Sequence, residues 1–141
     1  MYQIEKTHYG VRLTFAQTIS KEEMSQWVLD SEKFLEDFPS EFGVFVDMRD
    51  LKPLTREAEQ EMNKGQRLFK EKGMIRSVVI LNSAIVTMQF KRIAQETGIY
   101  DWERYINAKA EPNWQKMGEN WLTKAIDPDK FAPARPSIVM K

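Results

Sequence analysis

Side chains able to do chemistry gather after the apolar runs of this chain. Asp47, Arg49 and Asp50 follow the run Phe42-Gly43-Val44-Phe45-Val46, at the C-terminal end of a predicted strand, where ligand crevices of open α/β sheets form. The same charges can instead pair with one another and pin the loop. Thr55 stands where a helix should begin, so the free amides and dipole there can hold an anion such as phosphate. As a plain N-cap its hydroxyl would contribute about 1 kcal/mol. Asn82 and Ser83 follow the next run, Ser77-Val78-Val79-Ile80-Leu81. Because parallel strands bring their following loops to one edge, Asp47, Arg49, Thr55, Asn82 and Ser83 together form the candidate interaction or ligand surface. Ser83 has no means of becoming a nucleophile: no Gly-x-Ser-x-Gly elbow surrounds it, and the single histidine, His8, lies far away in the N-terminal stretch.

Other chemistry is excluded by composition. The chain has 141 residues, 21 Lys+Arg against 21 Asp+Glu, one His and no Cys. Without Cys there is no disulfide, thiolate nucleophile or Cys-based zinc site, which suits a reducing cytoplasm. A lone His is not a metal centre, since zinc takes about four ligands. The carboxylates are scattered along helices rather than paired. A zero charge balance argues against nucleic acid, whose binding needs excess cations to displace counterions. No metal, cofactor or catalytic group is therefore expected. The N-terminus lacks the pattern of a signal peptide, and no stretch approaches the roughly 18 consecutive apolar residues of a membrane span.

Aromatic residues crowd the last third of the chain as Trp102, Tyr105, Trp114 and Trp121. Trp114 and Trp121 are spaced to share a buried helix face. Trp102 and Tyr105 are less constrained by periodicity and are the candidates for a pocket rim or interface anchor.

The elements that must position these residues can be read from periodicity. Residues from Tyr2 to Phe15 alternate around a tight turn at Tyr9-Gly10 and predict a hairpin. Ser20-Lys21-Glu22-Glu23 is a capping box, with the Ser20 hydroxyl accepting the Glu23 amide and the Glu23 carboxylate returning to the Ser20 amide. The helix behind it carries Met24, Trp27, Val28, Phe34, Leu35 and Phe38 on one face until Pro39. A strand over Phe42–Val46 should end at Asp47, with a turn from Met48 to Leu54. A helix capped by Thr55 buries Ala58, Met62, Gly65 and Phe69 and stops at Gly73. A strand at about 76–82 and a helix carrying Val86, Phe90, Ile93 and Ala94 follow, with Gly98 as its stop. Trp102 to Ala108 reads as an edge strand, signalled by Glu103 and Lys109. Pro112 opens a last helix with Trp114, Met117, Gly118, Trp121, Leu122 and Ala125 on one face, ended by Asp127-Pro128.

The predicted fold is α/β: a mixed, mostly parallel sheet with an N-terminal antiparallel hairpin and helices packed on it. The domain spans residues 1–126, and a Pro-containing tail spans 127–141. This order, with the stretch Val44-Phe45-Val46-Asp47-Met48-Arg49-Asp50-Leu51-Lys52-Pro53-Leu54-Thr55 and the closing Trp121-Leu122 pair, resembles the SpoIIAA-like branch of the STAS family. The resemblance implies helices largely to one side of the sheet and a functional surface at the loop before the second helix. In signalling members an Asp-Ser pair there carries a serine phosphorylated by a partner kinase. Leu54-Thr55 stands here without the Asp, so no phospho-switch is expected. The chain also resembles SEC14-type lipid-binding domains, which implies a hydrophobic ligand between helices and sheet.

The resulting expectation is a non-enzymatic interaction or regulatory module, with a carrier of a small hydrophobic or lipid-like ligand as the alternative. Self-association as a homodimer is expected on three grounds. The tail carries the apolar Phe131, Ile138, Val139 and Met140, the acidic stretch 21–41 complements the basic stretch 64–76, and Trp102 and Tyr105 stand on an edge strand.

Overall fold

A computed structural model describes residues 1–130. The tail residues Phe131, Ile138, Val139 and Met140, on which one ground for self-association rested, lie outside the described residues. The alternating start is a hairpin in which β1 (Tyr2–Lys6) pairs antiparallel with β2 (Gly10–Gln17), Ile4 opposite Leu13 and Tyr2 opposite Phe15. Its turn is His8-Tyr9, one residue earlier than expected, because Thr7 and Gly10 exchange backbone hydrogen bonds of 2.9 and 3.3 Å. Gly10 has a φ of +142°, and a Cβ there would meet the Gly43 carbonyl oxygen at 2.2 Å, so close strand approach requires glycine.

Helix α1 (Lys21–Phe34) begins on Ser20, whose hydroxyl accepts the Glu23 amide at 3.1 Å. The other half of the predicted capping box is replaced. The Glu23 carboxylate takes the Met1 ammonium at 2.7 Å, a charged donor that outcompetes a backbone amide. Met24, Trp27 and Leu35 are buried, while Phe38 lies past the helix and packs between the rings of Phe34 and Phe42.

Strand β3 (Phe42–Leu51) is twice the expected length, and Asp47 lies inside it rather than at its end. The extension follows β2, which runs alongside and pairs Ala16 with Asp50 and Gln17 with Leu51 after an irregularity between Thr14 and Ala16. Thr55 caps α2 (Arg56–Lys72), and left-handed Gly73 ends it. Then come β4 (Met74–Leu81), α3 (Ala84–Thr97) capped by Ser83 and ended by Gly98, β5 (Glu103–Asn107), and α4 (Trp114–Lys124). Trp102 is not in the last strand: it closes a 3₁₀ turn at Tyr100–Trp102, where its amide donates to the Ile99 carbonyl at 3.1 Å.

The strands lie in chain order, β1-β2-β3-β4-β5, with β1 antiparallel to β2 and the other pairs parallel. Val44, Val46 and Met48 face α1, α2 and α3 in one core. Phe45, Val78, Ile80 and Ile106 face α4 through Trp121 and Leu122 in the other. Strands β3 and β4 are thus buried on both faces, which is why their sequences read as continuous apolar runs. The Trp121 indole donates to the Ser77 carbonyl at 3.0 Å. Beyond the predicted boundary at 126, Asp127 bonds Arg104 at 2.9 and 3.0 Å and Pro128 is buried. No helix among the described residues is long and apolar enough to cross a membrane.

The closest helix contact is that of α1 with α2, where the Trp27 ring lies on Gly65 and stacks on Phe69 at 5.7 Å. A Cβ on Gly65 would fall 1.9 Å from the ring. Gly65→Ala should therefore destabilise the fold by about 1–3 kcal/mol despite the better helix propensity of alanine. Urea unfolding followed by tryptophan fluorescence checks this, and an unchanged or higher midpoint would contradict the packing.

Candidate functional site

The residues singled out in the sequence divide between the two faces of the sheet. Asp47 points to the α4 face and is 7% exposed. It accepts the Arg49 amide at 3.1 Å, the Arg49 Nε at 3.0 Å and Nη2 at 2.9 Å, and the Arg12 Nη2 at 3.5 Å. Burial pushes its carboxyl up, but the Arg49 hydrogen bonds and the two guanidinium charges outweigh that and hold it below the usual carboxylate range. Each guanidinium also lies over an aromatic ring, Arg49 on Trp114 at 4.2 Å and Arg12 on Phe45 at 4.8 Å. Asp47 and Arg49 thus form an ion pair that ties β2, β3 and α4 together. Asp50 is exposed and outside it.

Thr55 and Ser83 belong to the other layer. Each hydroxyl accepts the amide of a first-turn residue, Ala58 at 3.2 Å and Val86 at 3.2 Å, so both are spent as N-caps. Asn82 links the layers, its Nδ2 donating to the Arg49 carbonyl at 3.3 Å, while its Oδ1 is buried without a partner. Asn82 and Ser83 line a groove of about 420 Å³ with Met88, Lys91, Tyr105 and Asn107. The structure therefore brings Asn82, Ser83 and Tyr105 into one groove and joins Asp47 to Arg49. Thr55 does not line that groove, and Trp102 is a half-buried wedge packed against both cores.

Residues that sequence reasoning missed complete the surface. On α3, Ile85 is 61% exposed and Met88 70% exposed, three positions apart and hence on one face. Lys91 continues that face, with its ammonium 5.4 Å from the centre of the Tyr105 ring. The alternation of α3 was read for its buried positions alone, although two large apolar residues off the buried face were the available signal.

Strand β5 is the edge strand that Glu103 and Lys109 predict, but Glu103 itself is buried at 5% exposure. It accepts the Ser77 hydroxyl at 2.8 Å and the Tyr105 hydroxyl at 2.7 Å, and no ion pair reaches it among the described residues. It borders an interior cavity of about 30 Å³ under the helices, lined also by Gln66, Ser77, Trp27 and apolar side chains. That is room for one or two waters, and the Trp27 Nε1 is buried there without a partner. Burial raises the Glu103 carboxyl from 4.5 to about 7, against the two hydroxyl donors that pull it down. The edge itself is blunted: the Glu103 carbonyl accepts Arg104 Nη1 at 3.1 Å, and the Asn107 carbonyl accepts the amides of Ala110 and Glu111 at 3.1 and 3.0 Å.

No family model and no curated protein matches the chain.

Because native Glu103 holds its proton up to about pH 7 and the unfolded side chain releases it near 4.5, the native state binds more protons in that window. Stability should fall as pH rises from about 4.5 to 7, by on the order of 3 kcal/mol, and level off above. Denaturation across this range should show Glu103→Gln losing that slope and gaining over wild type at pH 8. Parallel pH curves for the two proteins would remove the buried carboxyl from the account.

Proposed function

We propose that this chain is a non-enzymatic interaction module of STAS-like type. Its docking surface is the groove where β4, β5 and α3 meet, and its partner is a protein segment with an apolar anchor and a carboxylate. The observation that carries this reading is the exposed pair Ile85 and Met88 beside a groove containing Lys91. Large apolar side chains adjoining a concavity are the usual anchors of recognition. The non-enzymatic reading is supported by the capping role of Ser83 and by the place of His8 in the β1–β2 turn, at the opposite end of the parallel strands. Thr55 acts as a cap and not as a phospho-switch, since no Asp precedes it. The working compartment is the cytoplasm, in keeping with a chain that has no cysteine.

Affinity capture from source cells with mass spectrometry tests the reading. A stoichiometric partner should bind wild type and Leu29→Asp, altered on the exposed face of α1, and be lost from Met88→Asp. Retention by Met88→Asp would reject the groove, and stoichiometric phosphate on Thr55 in cells would restore the switch.

The same apolar face can close on itself across a two-fold axis, so the proposal extends to a homodimer. The blunted β5 edge favours helix-to-helix contact over a shared sheet. Sedimentation equilibrium at micromolar concentration should give a dimer for wild type and a monomer for Met88→Asp, and a wild-type monomer rejects the pair. The second reading, a carrier of a small hydrophobic ligand, is favoured by the interior cavity, which would have to widen between sheet and helices to admit one. A lipid-like mass retained in native mass spectrometry would put that reading first.

A further inference from the structure

Glu103 connects the interior of the domain to the docking groove. On one side it borders the cavity beneath α1, α2 and α3, and on the other it lines an outer depression of about 310 Å³ together with Lys91, Tyr100 and Tyr105. The Tyr105 hydroxyl is bonded to the Glu103 carboxylate, and the Tyr105 ring lines the groove beneath the Lys91 ammonium. Carboxyl, phenol and ammonium therefore stand in series from core to surface.

The surroundings leave this series as the route by which a change of charge at Glu103 is felt. From β4 only the Ser77 hydroxyl meets it. From α2, Gln66 accepts the Thr97 hydroxyl at 2.7 Å and Lys70 donates to the Thr97 carbonyl at 3.3 Å, so both are engaged elsewhere. The 3₁₀ turn contributes Tyr100, whose ring lies 6.3 Å from that of Tyr105, and Asp101 at the rim. Arg104 and Asp129 also line the outer depression, but the Arg104 guanidinium is engaged there by Asp127, Asp129 and the carbonyls of Asp101 and Glu103. From α3, the Lys91 ammonium lies over the Tyr105 ring, 5.4 Å from its centre, and no salt bridge occupies it among the described residues.

We propose that Glu103, Tyr105 and Lys91 form a proton-operated latch on the docking groove, an inference that rests on the groove reading above. With Glu103 ionised, Ser77 and Tyr105 both donate to it, and its uncompensated charge draws Lys91 over the Tyr105 ring. When a proton arrives from solvent through the outer depression, the carboxyl becomes a donor. The Glu103–Tyr105 bond then reverses, the phenol proton turns outward to water, and Lys91 is released to the groove for a carboxylate of the docking segment. The elevated affinity of the Glu103 carboxyl for its proton places this change near neutral pH.

The free full-length chain tests the latch without any partner. Methyl-labelled methionine and carboxyl-labelled glutamate report the Met88 methyl, which lines the groove with Tyr105, and Glu103 Cδ in one pH titration. In wild type both should share a midpoint near 7, Glu103→Gln should leave the Met88 resonance flat, and Tyr105→Phe should leave Glu103 titrating, at a higher midpoint for want of one donor, while uncoupling Met88. His8→Asn should change nothing at Met88, since His8 lies at the other end of the sheet. A Glu103 midpoint near 4.5, or a Met88 resonance that stays still while Glu103 titrates, overturns the latch even if capture experiments uphold the groove. A partner bound equally by wild type and Met88→Asp removes the groove whatever Glu103 does.

Discussion

The sheet runs in the same order as the chain, and most of the architecture depends on that constraint. Each parallel neighbour is reached by a crossover that is right-handed in nearly all proteins. When every crossover steps in the same direction along the sheet, α1, α2 and α3 must all fall on one face. They do so, sharing one core with Val44, Val46 and Met48. The opposite face is left to whatever follows β5, and a single helix, α4, covers β3 and β4 there. Sequential order also means that the strand order never reverses. The crevice that opens between oppositely directed crossovers in doubly wound folds has no place to form in this sheet.

That absence of a reversal explains why the candidate site was only partly legible. The five-strand mixed sheet, the caps Ser20, Thr55 and Ser83, and the stops Gly73 and Gly98 follow from local rules, because each depends on a few residues and on backbone geometry. The expectation that all C-terminal strand ends build one surface depends on which face each side chain takes. Strand alternation sends Asp47 and Arg49 to the α4 side, and the crossovers put Thr55 and Ser83 on the other. The length of β3 was misread for a related reason. Asp47, Arg49 and Asp50 look like a loop, but pairing with β2 on one side and two guanidiniums lying over aromatic rings make a charged strand segment stable. Nothing within a few residues of Asp47 announces Arg12.

Trp102 and Glu103 show the limit in another way. The 3₁₀ turn is made here by the Trp102 amide on the Ile99 carbonyl and the Glu103 amide on the Tyr100 carbonyl, bonds that period-two alternation cannot register. A charged residue at a strand end reads as exposed by base rate. Here Ser77, an inward-facing polar residue in an otherwise apolar run, supplies a donor across the ladder. The pair Ser77 and Glu103 was visible only once the register placed them opposite each other.

Three carboxylates are buried among the described residues; Glu61 pairs with Lys64 at 2.8 Å on α2, while Asp47 and Glu103 stand in contrasting surroundings, and the contrast assigns their roles. Asp47 has two guanidiniums and a backbone amide, so its charge is compensated and its carboxyl is held below the usual carboxylate range. Removing one member of such a pair strands the other in a low-dielectric site, at a cost of about 3–5 kcal/mol, which makes it a fixed tie between sheet and α4. Glu103 has hydroxyl donors only. Hydroxyls satisfy its lone pairs without cancelling its charge, so ionisation remains expensive and the group stays poised near neutrality. Environments that drive like groups apart in this manner separate structural from responsive carboxyls. The responsive one here lies one tyrosine away from the exposed Met88 and Lys91 rather than deep beneath the closed α4 face, and its position follows from β5 being the last strand of an unreversed sheet.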